Sequence, residues 1–200
     1  MIVMKLLFFL LLSPFTTSSQ IDQTELSFTE LVSTAYGDIN NDGIMDIAMV
    51  TQDTLNEFAP YRLEIFFTQV NGDKKLIVRT EKAIQPQFPN GRDQHTWGNG
   101  FGELSIHNGV LWIESGLIRG HFEHKFRYQN NKFELIGYTY VNSDGLGKMY
   151  LIDYNLSTGK RIETIDHYSS HEPEERVEKI IKLNPLPDLL NFEQYSNELY

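Results

Sequence analysis

Apolar and polar residues alternate along most of the chain beyond residue 44. Leu63, Ile65 and Phe67 alternate with Arg62, Glu64 and Phe66 within 61–70, and Phe122, His124, Phe126 and Tyr128 alternate with His121, Glu123, Lys125 and Arg127 within 121–128. A period of two sends successive side chains to opposite faces of a strand, so both segments are predicted as strands with one face in the core. The apolar run of 44–51 predicts a strand buried on at least one face, and 75–83, 133–140, 149–155, 160–165 and 177–183 read as further strands. Two segments leave a choice open. Leu26, Phe28, Leu31 and Val32 fit a first strand or a short helix, and 185–192 fits a short helix or an extended strap.

Turn chemistry sets the connections. Asn71-Gly72 follows strand 61–70 at once, and Asn108-Gly109 separates 103–107 from 110–114; both dipeptides favour the tight turns that join antiparallel strands. A two-residue hairpin at 108–109 pairs Ile106 with Leu111 and Leu104 with Ile113 on the core face. The opposite face then sets Ser105 against Trp112 and Glu103 against Glu114, and like charges in that arrangement call for a nearby cation. His121 and His124 face opposite ways and cannot chelate one ion together, so His124 is expected at the edge of the core. The fold class that follows is mainly β: antiparallel strands and hairpins forming a curved sheet, sandwich or barrel, with a short C-terminal helix or strap. A small β-propeller-like fold is the alternative, weakened because no segment repeats along the chain.

Residues 85–102 interrupt the alternation with Pro86, Pro89, Gly91, Gly98, Gly100 and Gly102. A long loop in a compact domain is commonly functional, and two readings stand. His95 and Trp97 form a lid that contacts a ligand, or Trp97 and Phe101 fold back to plug the end of the core.

The densest chemistry lies at 38–46, Asp-Ile-Asn-Asn-Asp-Gly-Ile-Met-Asp. Side-chain oxygens fall at its first, third, fifth and ninth positions, glycine at the sixth, and the Ile44 carbonyl can turn inward at the seventh. Calcium takes six to eight oxygens, and a short loop supplies them by curling tightly with an acceptor on alternate residues. Three carboxylates in nine residues repel one another unless a cation answers them. The plainer reading is a polar turn whose Asp and Asn side chains cap backbone amides, as Asx-turns do. An EF-hand is excluded, because Met49 stands where that loop needs a bidentate glutamate and the flanks read as strand.

With Gly37 before it and Ile47 to Val50 behind, the loop resembles the single calcium loop of FG-GAP and VCBS repeats. That resemblance covers 37–50 and implies Ca²⁺ held by Asp38, Asn40, Asp42 and Asp46, with the Ile44 carbonyl completing the set. Taken with Lys125 to Tyr138 and Leu156-Ser157-Thr158-Gly159-Lys160, the chain also looks like a group of small exported bacterial proteins, which implies export without implying an activity.

Export has its own signal. Residues 1–19 carry one positive charge, Lys5, an apolar run from Leu6 to Leu12, and Thr17 and Ser19 at a small-residue end. This is the pattern of a cleaved signal peptide, and the apolar run is too short for the ~20 residues of a membrane span. A single domain over 20–200 is expected, periplasmic or extracellular. The chain has no cysteine, so no lipid-anchoring cysteine follows the signal and no disulfide supports the domain.

The formal charge is −10; loss of Lys5 with the signal makes it −11. Phosphate binding rests on Lys and Arg, so nucleic acid is not the expected partner. The expected function is a soluble exported binding module steadied by one Ca²⁺, contacting a protein or a glycan, an inhibitor or immunity-type protein being one form. The alternative is a carboxylate-dependent hydrolase of glycan or peptide, using Glu103 and Glu114 near His95. The chain has neither a cysteine nucleophile nor the G-x-S-x-G or H-E-x-x-H pattern, which favours binding over catalysis.

Overall fold

The computed structural model describes residues 27–94, 100–169 and 173–195. Eleven strands follow one another in chain order: β1 (Glu30–Gly37), β2 (Asp46–Gln52), β3 (Tyr61–Thr68), β4 (Lys74–Thr80), β5 (Gly100–His107), β6 (Val110–Leu117), β7 (Gly120–Gln129), β8 (Lys132–Ser143), β9 (Lys148–Asn155), β10 (Lys160–His167) and β11 (Glu175–Ile180). All pairings are antiparallel between chain neighbours, and they form two sheets, β1-β2-β3-β4 and β5 through β11. The hairpin signals explain this order, since short connections make each strand pair with the one before it. The ladder breaks only between β4 and β5, where the loop rich in Pro and Gly intervenes. Neither sheet closes into a barrel, and the arrangement is not a propeller.

The core lies between the sheets. Ala48, Val50, Leu63 and Ile65 from the first meet Leu111, Ile113, Phe122 and Phe126 from the second. The period of two places them there: β2 is buried at every other residue from Asp46 to Gln52, and β7 buries Phe122, His124 and Phe126. Burying one such apolar side chain is worth about 1.5–3 kcal/mol. The 108–109 hairpin has the expected register, Ile106 opposite Leu111 and Leu104 opposite Ile113. At the seam, β1 lies against β5. Gly37 makes that approach possible, for a Cβ there would fall 2.9 Å from the Cβ of Ile106.

Two open choices are decided and one expectation changes. The first segment is a strand, β1, which begins at Glu30. No helix forms among the described C-terminal residues. The extended strap, the other alternative, runs antiparallel beside the start of β8: Leu135 N donates to Pro187 O at 2.9 Å and Leu189 N to Phe133 O at 2.9 Å. Leu189 and Phe192 plug the core, and the buried Gln194 donates to Ser115 Oγ at 2.8 Å. His124 is not at the core edge but fully buried, ringed by Phe122, Phe126, Tyr138 and Phe192.

The second sheet is wider than the first. Of β9 to β11, only Tyr154 is buried, and every residue of β11 is exposed. Shallow grooves of about 250 and 260 Å³ lie along β8 to β11, one lined by Tyr150, Ile152, Ile165 and Val177, the other by Val141, Leu151, Ile162 and Arg176. No helix among the described residues is long and apolar enough to cross a membrane.

Candidate functional site

The loop between β1 and β2 is held by the side chains that composed its sequence signature. The Asp38 carboxylate reaches across the turn and accepts from Asp42 N at 3.0 Å and Gly43 N at 2.9 Å. Asn40 Oδ1 accepts from Asp42 N at 2.9 Å, and Asp42 Oδ1 from Ile44 N at 2.8 Å. The bonds of Asn40 and Asp42 are Asx-turns in series, each capping an amide two residues on. The curl needs positive φ at Asn41 (61°) and Gly43 (85°), a region that asparagine tolerates and glycine enters freely.

Asp46 stands apart from the other two acids. It is the first residue of β2 and has no exposed surface. Its Oδ2 accepts from Ile39 N at 3.1 Å and its Oδ1 from Thr68 N at 2.9 Å, so it ties the start of the loop to the end of β3. Burial raises its pKa, and the two amide donors oppose that rise. Ile39 beside it is fully buried and anchors the loop in the core. From the other side, the Asn41 side chain lies against the hairpin tip at Gly109, where a Cβ would stand 3.0 Å from Asn41 Oδ1. The loop therefore bridges the two sheets at one end of the core.

The donors are all oxygen, which is the chemistry of a hard cation and excludes a thiolate metal site. Convergence is a separate matter. Among the described residues, no group of three or more acidic or histidine side chains is placed to hold a metal ion. Asn40 Nδ2 donates to Asp42 Oδ2 at 2.9 Å, so a side-chain amide answers that carboxylate. In this arrangement the loop closes through its own hydrogen bonds.

The second set of candidates is dispersed. His95 and Trp97 lie outside the described residues. Glu103 and Glu114 are not directly opposed, because the register shifts between Phe101 and Leu104 and sets Gly102 and Glu103 together against Glu114. A bulge of this kind re-aims side chains. Glu103 is exposed and Glu114 half-buried. Glu114 instead faces Glu123 on β7. A cation stands beside Glu123 rather than beside Glu103: Lys125 Nζ lies 3.5 Å from Glu123 and 4.1 Å from the centre of the Trp112 ring. Thr139 Oγ1 also donates to Glu123, at 2.6 Å. Neither Glu103 nor Glu114 lines the two grooves described above.

Comparison with protein-family models, with curated proteins and with solved structures finds no match to this chain.

Proposed function

We propose that the chain is an exported binding module whose loop 38–46 takes up one Ca²⁺. The observation that carries this reading is the preformed curl, in which Asp38, Asn40 and Asp42 present oxygens on alternate residues of a turn that already has the required positive φ values. Each oxygen accepts one amide hydrogen and keeps lone-pair capacity. Asp38, Asn40 and Asp42 are the side-chain ligands, with the Ile44 carbonyl. Their side chains rotate to converge, while the backbone curl stays. Asp46, a ligand by resemblance to FG-GAP loops, serves here chiefly as the buried pin that holds the loop against β3.

The ion supplies charge neutralisation. It relieves repulsion between Asp38 and Asp42 and steadies the contact of the loop with the β5–β6 hairpin. A partner, protein or glycan, is bound elsewhere on the surface. The hydrolase reading has less support, because the proposed glutamates are not directly opposed and neither lines the two grooves described above.

Two variants separate the roles. Asp42→Ala should lower the melting temperature more in millimolar calcium than in chelator, where only its bonds to Ile44 N and to the Asn40 amide are lost. Asp46→Asn should destabilise by about 1–3 kcal/mol under both conditions, because one buried amide, of Ile39 or Thr68, loses its charged acceptor. Thermal unfolding of the three proteins checks this. Equal loss for Asp42→Ala in calcium and in chelator would remove the metal from the account.

A further inference from the structure

β11 ends the seven-stranded sheet with an open edge, and that edge is complementary to itself. Ile181 N donates to Gly159 O at 2.7 Å, in the same register that pairs Lys160 with Ile180 and Arg161 with Lys179. Backbone direction alternates along a strand, so Glu175, Val177 and Lys179 turn their amides and carbonyls toward β10. Arg176, Glu178 and Ile180 turn theirs outward. Among the described residues no strand pairs with that side.

We propose that β11 pairs with β11 of a second copy of this chain, antiparallel about a two-fold axis at Val177, joining two seven-stranded sheets into one. Parity and charge select this register. Outward-facing groups must meet outward-facing groups, so even residues pair with even ones. With Val177 on the axis, Arg176 faces Glu178 of the second copy, and Glu175 faces Lys179. Both contacts repeat by symmetry, as a two-fold interface requires. The two Arg176–Glu178 pairs each exchange two backbone hydrogen bonds. The nearest registers of the same parity fail: one sets Glu178 on Glu178, the other Arg176 on Arg176. Opposed like charges are unfavourable.

A charged edge commonly serves to repel other strands, but here the signs reverse about the centre, so the edge attracts a copy of itself. The apolar contact is continuous as well. Val177 is 44% exposed and lines the groove formed with Tyr150, Ile152 and Ile165. Pairing brings the Val177 side chains of both copies together, so the two grooves run into one. The interface lies at the edge of the sheet opposite β5, away from the 38–46 loop, and forms with or without calcium.

The absence of cysteine makes a direct test possible. In this register the two Val177 Cα atoms are a non-hydrogen-bonded pair about 4.5 Å apart, within the range a disulfide spans. Full-length V177C should oxidise to a covalent dimer much faster than I180C, which lies three residues from the axis and so far from its own copy. By sedimentation velocity the unmodified chain should dimerise reversibly. R176E and E178R should each weaken the dimer by about tenfold or more, having set like charges opposite at both symmetric pairs. The double variant R176E/E178R should restore it, and circular dichroism melts of the monomers identify any loss due to misfolding. A chain monomeric up to ~1 mM, equal cross-linking at 177 and 180, or a dimer indifferent to R176E while its fold is intact would each overturn the proposal. So would a peptide segment or residues 1–26 found in place of the second copy on β11.

Discussion

His124 shows how far burial alone moves a side chain. Surrounded by aromatic rings, it has its pKa lowered from 6.5 to about 3 by desolvation. A folded-state value below the unfolded one means that the neutral form is favoured in the native protein. Its contribution is complete above pH 6.5 and is lost as pH falls toward 3. At pH 4 the loss should be about 3 kcal/mol. Urea unfolding of the wild type and His124→Leu at pH 7 and pH 4 checks this: the difference in stability should move toward the variant by that amount on acidification. A gap that does not change with pH would mean that His124 is protonated in place. Asp46 carries the opposite sign. Its pKa is raised by burial, so its contribution weakens as pH rises from 3.8 through the folded value. The two windows overlap above pH 3.8, where the two contributions change in opposite directions as pH falls.

Among the elements, the hairpins were the most legible. Asn108 (φ 52°) and Gly109 (φ 71°) both take positive φ, as a two-residue turn between right-twisted strands requires, and period two then fixes Ile106 on Leu111. The bulge at 102–103 was marked in the sequence only by Gly102, where a Cβ would stand 3.1 Å from Glu114 Oε1. The strap at 185–195 was ambiguous. Leu189 and Phe192 suit a helix face as well as a strap, and the choice was made by the open carbonyl of Phe133 and amide of Leu135 on β8. In the loop, the turn was legible, since Asp and Asn at alternate positions before glycine specify Asx-turns. The assignment of Asp46 to Thr68 N was not, because nothing in residues 38–46 reports where β3 ends. The seam between the sheets gives a measurable consequence. Gly37→Ala should cost about 1–3 kcal/mol by overpacking against Ile106. Gly37→Ala combined with Ile106→Ala should cost less than the sum of the single changes. A double-mutant cycle in urea tests this, and strict additivity would place the two residues out of contact.

At the scale of the whole molecule, the two ends of the second sheet have different tasks. At the β5 end, the 38–46 loop touches both sheets, through Ile39 in the core, Asp46 on Thr68 and Asn41 beside Gly109. An ion bound there is coupled to the junction of the fold, so binding adds to global stability by mass action. At the β11 end, the sheet continues past the first sheet and offers its edge to another chain. An acidic chain without cysteine has core burial as its main source of stability, and a weak calcium site suffices where the ion is plentiful. Extracellular modules work with dissociation constants of about 10⁻⁴ to 10⁻³ M. Calorimetric titration of the metal-stripped protein with CaCl₂, alongside Asp42→Ala, is the most direct test. One site of that affinity in the wild type and none in the variant is expected; no binding by the wild type up to ~10 mM calcium would contradict the calcium reading and leave the loop as a turn closed by its own hydrogen bonds.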